Sequence, residues 1–304
     1  MANAVSGAFG ACVALGNFDG IHLGHQEIIR ACVREAEKEG LVSLVWSFRR
    51  HPEHILKGNF ASGNIISLRD KEKILHQMGV SHLILEDFER VRDFSPEEFC
   101  EKILIRALSA RKVFCGFNFR FGKKGEGDVD FLIRYLTPKG IKVFVSDPVE
   151  MDGLPISSTR IRAFLEEGKV EEAARLLGRP YSIRFPVLHG KRLGTRIGFP
   201  TINQIFPGEY VTPKKGVYAV LVRFDEKEFF GVCNVGSRPT VDEDDRILAE
   251  THLLDFSGDL YGKEVRVEFY RFLRPEKKYS SLEELKIQIA KDRESARLFW
   301  EERR

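Results

Sequence analysis

Short apolar runs alternate with helix-period segments over the first part of the chain. Residues 12–15, Cys-Val-Ala-Leu, predict a buried strand, and residues 26–39 predict a helix closed by Gly40. Residues 41–48 are β-rich and predict a buried parallel strand. Residues 68–78 predict a helix stopped by Gly79, and residues 82–85 a short strand. Ser95-Pro96-Glu97-Glu98 is a capping box with proline at the first helical position, opening a helix to about Leu108. Residues 112–115 and 141–145 predict two further strands. This order belongs to an α/β domain in which helices cover a parallel sheet.

The pattern changes after a helical stretch at 170–177, which Gly178-Arg179-Pro180 stops. Residues 216–224, 229–235, 247–256 and 265–272 predict strands separated by turns or charged segments, as in an antiparallel barrel. A last helix, capped by Ser281 with Glu284, runs to about Trp300. A chain of 304 residues is long for one core, so two domains are expected, 1–180 and 181–304.

Composition narrows the class. Hydrophobic residues make up 43% of the chain, as in an ordinary globular protein. The net charge of +3 argues against an extended nucleic-acid surface but leaves room for a basic phosphate pocket. Cys12, Cys32, Cys100, Cys115 and Cys233 are odd in number and show no Cys-x-x-Cys spacing, which disfavours a zinc knuckle or a disulfide framework. No stretch is apolar enough to span a membrane. Residues 1–15 lack a basic leader and read as the first strand, not a signal peptide, so a cytoplasmic protein is expected.

Four segments carry candidate chemistry. Gly16-Asn17-Phe18-Asp19-Gly20-Ile21-His22-Leu23-Gly24-His25 joins the first strand to the first helix. Such a turn offers backbone N–H groups and a partial positive charge to an anion. Glycine permits close approach, and His22 and His25 can donate to phosphate oxygens as negative charge grows. The same two histidines could be half of a metal site or ordinary surface residues. A second loop, 116–128, follows a strand and so sits at the C-terminal edge of the sheet, where α/β proteins bind ligands. Phe117, Phe119 and Phe121 could stack on a flat ring, Asn118 can hydrogen-bond, and Arg120, Lys123 and Lys124 can meet phosphate. The alternative is a flexible basic loop. Ile156-Ser157-Ser158-Thr159-Arg160-Ile161-Arg162 places hydroxyls at a helix N-terminus, where they cap the helix or hold phosphate. Gly190-Lys191-Arg192-Leu193-Gly194-Thr195-Arg196-Ile197-Gly198 suits a nucleotide phosphate but reads equally as an exposed basic turn. It is not a Walker A sequence, because Gly-Lys-Ser/Thr is absent.

His22-Leu23-Gly24-His25 resembles the signature of nucleotidyltransferases that act at the α-phosphate of ATP. With Ser47-Phe48-Arg49-Arg50-His51-Pro52, the Gly116–Gly122 loop and Ile156–Arg162, all in the same order, the first part resembles the bacterial bifunctional riboflavin kinase/FMN adenylyltransferase (FAD synthetase) family. The second part is similar to the riboflavin kinase half of that family. It carries the basic glycine loop, Pro200-Thr201-Ile202-Asn203, Gly216-Val217-Tyr218-Ala219, Asn234–Thr240, Glu250-Thr251-His252-Leu253 and Asp259-Leu260-Tyr261-Gly262. The resemblance covers nearly the whole chain. Many members carry aspartate where Asn118 stands.

The resemblance implies a Rossmann-like nucleotidyltransferase domain and a riboflavin kinase-like antiparallel barrel with a terminal helix. It implies two reactions, riboflavin to FMN and FMN to FAD, both with ATP and aided by Mg²⁺. By resemblance His22 and His25 stabilise the α-phosphate, Asn118 positions the reacting phosphates or flavin, and Ser158, Thr159 and Arg162 bind the departing pyrophosphate. Gly16, Phe18, Asp19 and Gly24 complete the ATP turn. Gly190, Lys191, Arg192 and Gly194 hold the second nucleotide. Thr201 and Asn203 bind Mg²⁺ and phosphate oxygens, Glu250 is the general base, and Arg297 lies near the flavin. Tyr279 and His252 read as structural. No nucleic-acid or membrane partner is expected, and the expected assembly is a monomer or weak homo-oligomer. The alternatives are another adenylyltransferase with the same turn, which the second half disfavours, or a flavin sensor without turnover, which the intact candidate residues disfavour.

Overall fold

The computed structural model describes residues 10–57, 63–189, 198–237 and 247–303. It forms two compact units: one takes the chain up to Ala61 and Leu68–Ser157, the other Ser62–Ser67 and Ser158–Arg304.

In the first unit β1 (Ala11–Leu15), β2 (Val42–Phe48), β3 (His82–Glu86), β4 (Ala110–Gly116) and β5 (Lys142–Ser146) form one sheet in the order β3-β2-β1-β4-β5. Every pairing is parallel. All five residues of β1 are buried, which is why this strand reads as an unbroken apolar run. The strand order reverses between β1 and β4, so the loops after these two strands flank the crevice where open α/β sheets bind ligands. Helix α1 (Leu23–Glu39) ends at Gly40, whose φ of 65° and N–H contacts with the Ala36 and Glu37 carbonyls make an αL cap. Helix α2 spans Leu68–Gln77. The predicted capping box opens α3: Ser95 Oγ accepts from the Glu98 N–H while Glu98 accepts from the Ser95 N–H. After Pro96–Glu98 this helix continues as a π-wound stretch over Phe99–Ala107, closing with Leu108 N donating to Ile103 O. Buried Lys112 on β4 pins α1 to the sheet, its ammonium held by Glu35 and, at 2.7 Å, by Glu39. Helix α4 (Val129–Leu136) was not anticipated. Asp128 caps it by accepting from Phe131 N at 2.8 Å, and Leu132 and Leu136 are its buried i,i+4 pair.

The second unit opens with α5 (Ser158–Glu167) and α6 (Val170–Leu177). Six strands follow: β6 (Tyr181–Pro186), β7 (Ile202–Ile205), β8 (Gly216–Phe224), β9 (Lys227–Ser237), β10 (Ile247–Leu253) and β11 (Glu264–Pro275). They run antiparallel in the order β6-β11-β8-β9-β10-β7. A bridge between Leu188, just beyond β6, and Asn203 on β7 nearly closes the sheet into a barrel. Four of these strands match the sequence pattern; β6 and β7 are the two it did not supply. Gln204 is fully buried, and its amide donates to the Phe185 and Val265 carbonyls at 2.7 and 2.8 Å, tying the barrel from within.

Helix α7 (Leu282–Glu301) lies on the outer face, packing Ala296, Phe299 and Trp300 against Val217, Ala219, Leu221 and Val232. Ser281 caps it by accepting from Glu284 N, whereas Glu284 accepts from Ser280, so the reciprocal half of the box is displaced by one residue. A guanidinium–carboxylate fork fixes the helix to β11: Arg274 Nε and its terminal nitrogen meet the two Asp292 oxygens at 2.8 and 2.6 Å. Asp292 is buried, and Asp292→Ala would leave the partly buried Arg274 guanidinium without its carboxylate, holding only the Pro275 carbonyl at 3.0 Å among the described residues. The expected cost is about 3 kcal/mol, read as a lower urea midpoint of the barrel unit; an unchanged midpoint would show that the fork is dispensable.

Candidate active sites

The turn after β1 is shaped by strained, buried residues. Phe18, Gly20 and Ile21 take φ of 48°, 79° and 42°. A β-branched isoleucine in that region costs about 1–3 kcal/mol. Its burial and the Gln26 side chain, which donates to the Ile21 carbonyl at 3.0 Å, hold it there. Helix α1 starts at Leu23, three residues earlier than the sequence pattern gave, because His22 is its cap: His22 Nδ1 accepts from the His25 N–H at 3.2 Å. That bond leaves the His22 proton on Nε2. The two imidazoles stack with centroids 3.5 Å apart and planes 18° from parallel, and the Phe18 ring meets His25 edge-on at 5.3 Å. Burial, then His22, then Lys71 push the His25 pKa well below its ordinary value, so the ring is neutral at pH 7. His25 Nδ1 is buried without a hydrogen-bond partner among the described residues. Gly24 lets the turn pack closely, since a Cβ would come within 3.3 Å of the His22 ring and push it by a few tenths of an ångström. Gly16 carries the same restriction, with the Phe18 ring 3.0 Å from such a Cβ. Asp19 is buried in the same turn.

The loop after β4 divides its aromatics. Phe121 is buried and Phe119 packs against the same core, so only Phe117 of the three is exposed for stacking. Asn118 is exposed, beside Gly116. Arg120 pairs with Asp128 at 3.4 Å, and Lys123 and Lys124 are exposed. Ile156, at the end of the first unit, has its carbonyl 3.9 Å from where a Gly24 Cβ would stand. In the second unit Ser158 and Thr159 occupy the first turn of α5, and buried Arg162 donates to the Gly63 carbonyl at 2.8 Å.

On the barrel, register makes the site. Asn203 on β7 faces Glu250 on β10, and Glu250 faces Asn234 on β9, so one cross-strand row holds three polar side chains. Asn203 is buried, and its Oδ1 has no hydrogen-bond partner among the described residues. Thr201 lies two residues earlier and lines a cavity of about 400 Å³ with Ile202, Leu253, Phe256, Asp259 and Tyr261. His252 Nδ1 lies 2.8 Å from the Pro200 carbonyl and anchors that segment; burial lowers its pKa. Arg297 is half-exposed on α7 and pairs with Asp255 at 3.6 Å. Gly190, Lys191, Arg192 and Gly194 lie outside the described residues.

Both halves match known proteins. The FAD synthetase family model matches residues 7–160, and the riboflavin kinase model matches residues 177–300. A bifunctional riboflavin kinase/FMN adenylyltransferase of Listeria monocytogenes is 36% identical over 290 residues, covering 95% of this chain and 92% of its own. That of Haemophilus influenzae is 39% identical over 293 residues, covering 96% and 94%. The chain belongs to the bifunctional riboflavin kinase/FMN adenylyltransferase family. A solved structure described as a macrolide-efflux protein from Streptococcus pneumoniae also superposes, with a TM-score of 0.87 at 32% identity over 96% of this chain and 95% of that one. That description concerns the other protein. Among the described residues of this chain no helix is long and apolar enough to cross a membrane.

Within this bifunctional family framework three residues enter that the sequence pattern did not single out. Asn234 stands beside Glu250 only through the strand register. Arg293 on α7 lies over the Phe199 ring at 5.5 Å, and that ring meets His252 edge-on at 5.7 Å, next to Pro200 and Thr201. Lys71 reaches the turn after β1 from α2, and its ammonium donates to the Asn17 carbonyl at 2.9 Å.

Proposed function

We propose that residues 1–180 adenylylate FMN and residues 181–304 phosphorylate riboflavin, each with ATP. What carries this reading is one chain holding a stacked imidazole pair, with His25 neutral, at a sheet's reversal point and a carboxylate facing a buried carboxamide oxygen that has no partner among the described residues. In the first reaction an FMN phosphate oxygen attacks the α-phosphorus of ATP, the bond to the bridging α,β-oxygen breaks, and pyrophosphate leaves. No protein nucleophile is needed. His22 and His25 donate to the α-phosphate as its charge rises, and His25 does so uncharged, which its low pKa supports. Asn118 orients the reacting phosphate or flavin. Gly16, Phe18, Asp19 and Gly24 shape the ATP turn, and Ser158, Thr159 and Arg162 receive the pyrophosphate portion.

In the second reaction the riboflavin 5′-hydroxyl oxygen attacks the γ-phosphorus, the bond to the β,γ-bridging oxygen breaks, and ADP leaves. Glu250 accepts the hydroxyl proton. Thr201 and Asn203 would hold Mg²⁺. The orphaned Asn203 Oδ1 and the Thr201 hydroxyl are hard oxygen donors of the kind that share Mg²⁺ with phosphates and water. When bound, the ion supplies charge neutralisation to the phosphates. Gly190, Lys191, Arg192 and Gly194 hold nucleotide phosphate, and Arg297 orients the flavin once released from Asp255. All five thiols are free and buried, which supports a cytoplasmic location.

The test is a time course with purified protein, riboflavin, ATP and Mg²⁺, with flavins separated by chromatography. FMN is expected first and FAD after it. FMN alone would remove the adenylyltransferase assignment, and bound flavin without conversion would replace both assignments with a sensor.

A further inference from the structure

Lys71 is a buried charge that the two reactions leave unexplained. Its side chain is 4% exposed in the first turn of α2, and an ammonium in such a place is costly unless it is compensated. An apolar side chain of similar volume at a site like this is usually neutral or stabilising, so stability alone does not account for a lysine. Its partners lie in the turn after β1. Nζ donates to the Asn17 carbonyl at 2.9 Å, and Asp19 attracts the charge. The same carbonyl accepts from Ser47 Oγ at 2.9 Å, so donors from α2 and β2 occupy both of its lone pairs.

That carbonyl belongs to the peptide that leads into Phe18, which stands in the left-handed region and sets its ring against His25. We infer that Lys71 is a positioning residue for adenylyl transfer, holding the Asn17–Phe18 peptide so that His25 and the stacked His22 stand at the α-phosphate. This rests on the role proposed above for the two histidines. A misplacement of about 1 Å in such a site can lower a rate by about a hundredfold. Lys71 also acts through its charge. The titratable groups facing His25 are His22 and Lys71, and both oppose protonation of its ring.

The experiment uses the full chain carrying Lys71→Met, assayed for FAD formation from FMN and for FMN formation from riboflavin. Expected are a kcat for adenylyl transfer at least tenfold lower, a KM for FMN within threefold, an unchanged kinase rate and an unchanged or higher Tm. The acid limb of the adenylyl-transfer profile should move to higher pH, because His25 loses a repelling charge. A residue that only stabilised the fold would lower Tm and leave that limb in place. Wild-type kcat in a folded Lys71→Met protein overturns the inference. Should that variant fail to fold, Ser47→Ala removes the second donor to the same carbonyl with little change of volume. It is expected to lower kcat at least threefold at constant KM, and a wild-type rate there also overturns the inference. His25→Ala is run beside them: if it alone loses activity, only the Lys71 inference falls, and if it too is fully active, the reading beneath it falls as well.

Discussion

Replacing His25 with alanine is expected to lower FMN adenylylation at least a hundredfold while riboflavin phosphorylation stays within twofold of wild type. Adenylyl transfer without a protein nucleophile leaves positioning and charge stabilisation as the means of catalysis, and one preorganised donor of this kind is worth about a hundredfold to a thousandfold. The fold should tolerate the change. His25 Nδ1 makes no hydrogen bond among the described residues, the cap contact at this position uses the backbone N–H, and alanine is a strong helix former in the first turn of α1. The two activities are measured separately, starting from FMN or from riboflavin. Loss of both in a folded protein would contradict their division between residues 1–180 and 181–304, and retention of adenylylation would remove His25 from the site.

Elements whose signal is local were legible in the sequence. The fully buried β1 reads as a run of four apolar residues, and Gly40 and the Ser95 box mark helix ends by their own chemistry. The start of α1 was misread because an imidazole nitrogen does the work that Ser, Thr, Asp or Asn does at most helix caps. The aromatics at 117–121 look alike in sequence, yet the chain turns Phe119 and Phe121 into the core and leaves Phe117 outside; only the fold separates them. Strand β7 is four residues long and begins just after a proline, which weakens any period-2 signal.

Contacts made across the fold left no trace in the pattern. Lys71 lies 54 positions from Asn17, and a lysine in the first turn of a helix reads as a solvated side chain until α2 is packed against the turn. Asn234 is 16 positions from Glu250, and a slip of one residue in the β9–β10 register would send it to the opposite face. The sequence therefore identified residues that carry the chemistry more readily than residues that hold them in place.

Glu250→Gln tests the barrel half most sharply. Glutamine keeps the size and planarity of the side chain in the Asn203–Glu250–Asn234 row but cannot accept a proton at neutral pH. A positioned general base contributes about a hundredfold to ten-thousandfold, so riboflavin phosphorylation should fall by at least a hundredfold. If Glu250 served only to orient its neighbours, the carboxamide would replace it and the rate would fall no more than a few-fold. Starting from riboflavin, the variant should accumulate neither FMN nor FAD. Starting from FMN, it should make FAD at the wild-type rate, because the imidazole pair stands in the other compact unit. Kinase activity within fivefold of wild type would assign the proton to another acceptor. Failure to convert supplied FMN would show that the barrel site is needed for adenylylation, and the division of labour near residue 180 would have to be withdrawn.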